Sequence, residues 1–97
     1  MADYRLTPEA REDLVEIGEF TDDRWGEDQR QAYMVAFAET FRAIAEGTAQ
    51  IRKSDGIKPG LRSCLMRRHV IFFRHNRDGA VEIIRILHAS QDHVRHL

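Results

Sequence analysis

A chain of 97 residues and 11.3 kDa fits one domain with a modest core, and 42% hydrophobic against 32% charged residues exclude a disordered polymer. A formal net charge of -1 argues against a general nucleic-acid coater. The lone Cys64 excludes a disulfide framework or a multi-cysteine metal centre, and apolar runs far too short for the bilayer, such as Val70 to Phe73, exclude a membrane span. The start, MADYRLTPEARED, has no signal-peptide core, so a soluble cytoplasmic protein is expected. The small net charge conceals an asymmetry. Five Arg/Lys against twelve Asp/Glu leave residues 1–50 at -7, while ten against four leave residues 51–97 at +6.

In chain order, Tyr4-Arg5-Leu6 is a strand candidate. Thr7 and Pro8 then read as the N-cap and first position of a helix. Ala10, Leu14, Ile17 and Thr21 share one face of that helix, with Phe20 beside it. Arg11, Glu12, Glu16 and Glu19 take the wet side, and Gly26 after Trp25 supplies the stop. A second helix begins within two or three residues and runs to about Glu46. It carries Tyr33, Ala36, Phe37, Thr40, Phe41 and Ile44 on one face and ends at Gly47. The short break predicts a helical hairpin. Residues 48–60 read as a loop, with Gly56, Pro59 and Gly60 among charged residues. Three strands are predicted after it, over Leu61 to Arg67, His69 to His75 and Val81 to His88. Asn76-Arg77-Asp78-Gly79 turns the last hairpin, and a short helix falls within Ser90 to Leu97. The expected fold is α+β, a helical hairpin packed on one face of a small antiparallel sheet in the order β-αα-βββ with a short C-terminal helix. The other sheet face is left to a partner or ligand.

Candidate chemistry concentrates in the second half. A metal reading would use His88, Asp92 and His96, or His93 with its neighbours. No compact ligand motif such as HExxH is present, and no metal or cofactor is expected. Acid–base chemistry on RNA is a second histidine reading; half-buried, hydrogen-bonded ends of strands is the reading for His69 and His88. Arg62, Arg74 and Arg85 could line one sheet face, with Arg67-Arg68 at a turn. Such a patch suits either phosphates or an acidic protein segment. Trp25 reads as a plug between hairpin and sheet rather than a ligand platform. Tyr4 and Tyr33, the two tyrosines, are placed away from the C-terminal strand. Leu14, Ile17, Tyr33 and Phe37 are expected inside, with their exposed neighbours and an edge strand left to a partner.

The segments YRLTPEAREDL, DDRWG, PGLRS, HVIFFR and IIRILHASQDHVRHL, in this order over essentially the whole chain, resemble the ParE toxins of the RelE/ParE superfamily. The motif residues carrying the likeness are Trp25, Gly26, Pro59, Gly60 and Arg62, with the later histidines and arginines. The resemblance implies that residues 1–97 form a single toxin domain of a type II toxin–antitoxin system. It implies a non-enzymatic toxin that poisons DNA gyrase, with the gyrase holding cleaved DNA. It also implies a ParD-type antitoxin that neutralises the toxin and links it to operator DNA only indirectly. Arg67, Arg68, Arg85, His88, Arg95 and His96 are the residues expected to face the target. The alternative is a ribosome-dependent mRNA endoribonuclease of the RelE type, using Arg62, Arg85, His88 and His93. Against it, the segment LHASQDHVRHL has no Tyr, Ala89 stands where those ribonucleases place an Arg, and Val70 replaces a strand Arg.

Overall fold

The computed structural model describes residues 3–97. In chain order these form β1 (Tyr4–Leu6), α1 (Pro8–Trp25), α2 (Glu27–Glu46), β2 (Arg52–Lys53), β3 (Arg62–Met66), β4 (His69–His75), β5 (Val81–His88) and α3 (His93–His96). Local chemistry sets the helix ends. Thr7 is extended, and its Oγ1 accepts the Ala10 N–H at 3.1 Å, with Pro8 opening the helix. Gly26 joins the two helices by itself. Its N–H donates to Asp22 O at 2.8 Å, and its carbonyl accepts the Arg30 N–H at 3.1 Å. Its φ of 91° with ψ of 174° is a conformation that only glycine adopts without strain. At the end of α2, Gly47 is left-handed. The N–H groups of Gly47 and Thr48 return to Ile44 O and Ala43 O, closing the helix with two hydrogen bonds to its last turn.

The sheet order is β1-β5-β4-β3-β2. The strands β3, β4 and β5 pair antiparallel, as expected, and Gly79 at φ 87° completes the turn between β4 and β5. Two features refine the expectation. β1 pairs parallel to β5, from Tyr4↔Val81 to Leu6↔Ile83, so the sheet is mixed at that edge. Parallel pairing needs a long crossover, which the intervening chain supplies, and no local pattern in three residues reports it. Residues 48–60 are not all loop, because β2 pairs Arg52↔Ser63 and Lys53↔Arg62. The turn after it is closed by Leu61 N–H to Lys58 O at 3.1 Å, with Pro59 and then Gly60 at φ 79° in the middle. That is the Pro-Gly order a type II turn selects.

The main core lies between hairpin and sheet. Ala10, Phe37, Phe41 and Ile44 from the helices meet Ile71, Phe73, Val81, Ile83 and Ile86 from the strands. Each large member contributes roughly 1.5–3 kcal/mol of burial. A β-bulge makes that set possible. Phe72 pairs with Arg85 and Phe73 with Ile83, so Ile84 is an extra residue on β5. Ile83 and Ile86 are three apart and would face opposite sides of a regular strand; the bulge turns both toward the helices. The far face is not left bare, which corrects the sequence expectation. Leu61, Phe72 and Leu87 form a second cluster there, covered by Ile57 of the loop and Leu97 of the C-terminus. His93 also stands edge-on to the Phe72 ring, centroids 5.0 Å apart. No helix among the described residues is long and apolar enough to cross a membrane.

Candidate functional site

The parallel pairing of β1 stops at Ile83, which leaves the second half of β5 with an open edge. Side chains of the α1 entrance close it. Thr7 Oγ1 donates to Ile84 O at 2.7 Å, and Asp13 Oδ2 accepts the Ile86 N–H at 2.9 Å. Asp13 is buried, and its carboxylate also accepts from Arg85 Nε and Nη2 at 2.8 and 3.0 Å. The bidentate geometry raises the Arg85 pKa, chiefly through the hydrogen bond to Asp13. Arg85 Nη1 donates further to His96 O at 3.1 Å, which ties the C-terminal turn to the sheet edge.

Beyond this anchor the hairpin tip stands away from the β3–β4 turn. Between them lies an open groove of about 690 Å³. The tip supplies Phe20, Arg24, Trp25 and Gln29. The sheet end supplies Arg67, Arg68, His69 and His88, and Ile17, Thr21 and Tyr33 form the floor. The β3–β4 turn consists of Arg67 and Arg68 alone, because Met66 already pairs with His69. Arg67 has φ 55°, the only positive φ outside glycine among the described residues. Its guanidinium lies over the Tyr33 ring, 5.1 Å from the centroid, and Arg24 lies over Phe20 at the same distance.

A chain of polar contacts crosses the floor. Tyr33 Oη and His69 Nδ1 share a hydrogen bond of 2.6 Å, and the His69 ring stands edge-on to His88 at 5.4 Å. His88 Nδ1 in turn accepts the Ser90 N–H at 3.1 Å, which leaves its Nε2 as the donor. Burial raises the Tyr33 pKa against the opposing pull of Arg67 and Arg68. Burial, and then the neighbouring His88, lowers that of His69. At neutral pH this pair is therefore a neutral phenol against a neutral imidazole. It is a hydrogen-bonding wall whose Nδ1 is already occupied. Burial also pushes the Cys64 thiol upward, so it is an inert core residue.

The residues expected to face a target divide into three groups. Arg67, Arg68 and His88 meet in the groove. Arg85 and His96 meet in a smaller adjoining hollow of about 300 Å³, with the Arg85 guanidinium held by Asp13. Arg95 is exposed on the last turn and lines neither. The arginine row imagined for Arg62, Arg74 and Arg85 does not form. Arg62 lies opposite Phe73 on the helix side, whereas Arg85 lies opposite Phe72 on the other. Each has its own carboxylate: Arg62 with Asp55 at 3.6 Å, Arg74 with Glu82 at 2.6 Å and Arg85 with Asp13 at 2.8 Å.

Two further expectations are corrected. Trp25 is no plug, since it is 65% exposed and stands edge-on to Phe20 at the mouth of the groove. Gly26 breaks the chain immediately after it and turns α2 back before the ring can reach the sheet. Neither tyrosine is remote from the C-terminal strand, because Tyr4 pairs with Val81 at its start and His69 carries the Tyr33 hydroxyl to within one ring of His88. Pairing across the sheet, of Tyr4 with Val81 and of His69 with His88, decides this, and spacing along the chain does not show it. The half-buried, hydrogen-bonded reading of His69 and His88 is borne out. Asp13 and Asp55 carried no sequence signal beyond a polar residue in a helix or loop. Asp55 accepts the Gly60 N–H at 2.9 Å, the largest cause of its lowered pKa, and so braces the Pro59-Gly60-Arg62 motif.

Residues 4–93 match the family described as the ParE toxin of the type II toxin-antitoxin system, parDE. Toxin ParE1 of Mycobacterium tuberculosis strain H37Rv is 34% identical over 94 residues, covering 97% of this chain and 96% of that protein. Toxin ParE1 of Caulobacter vibrioides is 35% identical over 97 residues, covering 100% of this chain and 99% of that protein. A solved chain described as the chromosomal ParDE TA system from P. aeruginosa shares the fold. Its TM-score is 0.74 at 21% identity, over 93% of this chain and 98% of that one. The match spans both helices, all five strands and the start of the last turn, and on it the chain belongs to the ParE toxin family of the RelE/ParE type II toxin–antitoxin superfamily.

Proposed function

We propose that this chain, as a single toxin domain over residues 1–97, is the toxin of a type II toxin–antitoxin pair that poisons DNA gyrase and is neutralised by a ParD-type antitoxin. The observation that carries the reading is the family assignment over residues 4–93. The geometry supports a contact toxin rather than a catalyst. Among the described residues Arg67 and Arg68 form no ion pair and stand at a groove mouth, while the proton-bearing pair behind them is neutral and mutually bonded. The target-facing set is Arg67, Arg68 and His88 in the groove, flanked by Arg85, His96 and Arg95. Operator DNA is reached only through the antitoxin. An apolar, acidic antitoxin tail would find exposed Val15 and Val35 on the helices and exposed Leu65 on β3.

The test is a supercoiling assay with purified gyrase, run with and without the antitoxin. Inhibition or accumulation of cleaved DNA at toxin excess, relieved by the antitoxin, is expected. Unimpaired supercoiling at toxin excess removes gyrase as the target. The ribonuclease alternative draws on Tyr33, which lies nearer to His88 than the sequence suggested. Its proposed phosphate clamps, Arg62 and Arg85, are however engaged with Asp55 and Asp13. A translation reaction in which mRNA stays intact at toxin excess eliminates it.

A further inference from the structure

We infer that the groove between the hairpin tip and the β3–β4 turn binds a short single-stranded nucleic-acid segment, with a base stacked on Trp25 and the backbone phosphates held by Arg67, Arg68 and Arg24. Charge is the first support. Residues 1–50 carry twelve Asp/Glu, yet among the described residues no carboxylate lines this groove, and its charged lining is three arginines. The anion-facing character is therefore local and set against an acidic hairpin. A net charge of -1 speaks against coating long nucleic acid but not against a site of one or two phosphates.

The aromatic content is the second support. Trp25 and Phe20 are 65% and 55% exposed, side by side at the tip. Arg24 already covers one face of Phe20, and the adjoining indole is open to stacking. An exposed indole beside guanidinium groups is the pairing that holds unpaired bases, which need a π-face and a phosphate partner together. An acidic peptide would satisfy the arginines but has no use for the indole. Gln29 and the His88 Nε2 add donors at the groove edge. The volume of about 690 Å³ falls within the range of small-ligand sites. Finally, Arg67 occupies a left-handed turn position that glycine would fill without strain. A side chain kept where the backbone disfavours it points to work done by the side chain.

The inference rests on reading this groove as the target-facing surface, but its test contains no gyrase, so the two readings fail separately. Trp25 is the only tryptophan and reports its own occupancy. The full chain is titrated at low salt with a short oligothymidylate and, separately, with an oligouridylate, following Trp25 fluorescence. Saturable quenching is expected, and the tighter of the two oligomers identifies DNA or RNA as the strand. In the R67Q/R68Q double variant the midpoint should rise about tenfold, and the salt dependence of log K should flatten by about 0.7 for each phosphate that the variant no longer neutralises. R52Q, on the far edge strand, should match the parent. Anisotropy of a labelled oligomer gives the same comparison independently of the indole, and W25A should weaken binding there severalfold. Absence of saturable quenching with both oligomers overturns the proposal. So does equal binding by the double variant, or preferential binding of a short acidic peptide.

Discussion

Asp13 holds Arg85 and closes the open edge of β5 at the same time. One carboxylate neutralises Arg85 and also replaces the neighbouring strand that the Ile86 N–H lacks. Asp13→Ala would leave a guanidinium and a buried amide without their partner. The expected loss is about 3–5 kcal/mol, read from urea unfolding; a change below about 1 kcal/mol would show that water replaces the carboxylate. His69 supplies the pH dependence. Its folded-state pKa lies below the ordinary 6.5, so above that value it costs nothing, and as pH falls below it the unfolded chain takes up the proton first. Stability should therefore fall as pH drops from 6.5 toward the folded pKa. The depressed carboxylates Asp55 and Asp78 act only below 3.8, outside that window. Melting temperatures at about pH 7.5 and about pH 5 should differ less in His69→Gln than in the parent. An identical pH dependence would move the effect to another histidine.

At the scale of elements, the helices were legible because each carries its own signals. Thr7-Pro8 opens one, Gly47 closes the other, and the apolar positions repeat at the helical period. Gly26 should tolerate no side chain, although nothing crowds it, because the obstacle is its backbone conformation. Gly26→Ala is expected to cost about 1–3 kcal/mol in thermal or urea unfolding. The β3–β4 turn gives the opposite sign. Arg67→Gly should stabilise the fold by about 1 kcal/mol, by relieving a left-handed arginine, while weakening the gyrase inhibition proposed above. A variant that is both less stable and fully inhibitory would contradict the role given to Arg67. The bulge at Ile84 and the two-residue β2 were not legible. A bulge is a relation between two strands, and two charged residues carry no periodicity.

Across the whole molecule, the division of -7 and +6 follows the architecture, with acidic helices on one side and a basic sheet and tail on the other. Such a charge separation orients an approaching partner. The association rate with an acidic antitoxin tail should fall about tenfold or more as salt is raised from low to high; a rate independent of salt would show that the apolar surface alone guides the encounter. The sequence by itself determined the α+β class, the helical hairpin, the order of the main strands, their turns and the family, because those rest on residues near one another in the chain. Only the tertiary structure decided which charges are free. It joined Asp13 to Arg85 across 72 positions and Tyr33 to His69 across 36, turned Trp25 outward, set the Arg67-Arg68 turn at a groove, and gave Arg62, Arg74 and Arg85 each a carboxylate of its own. Contacts between distant residues are set by strand register and helix crossing, and no local spacing encodes which of the thirteen arginines find a carboxylate.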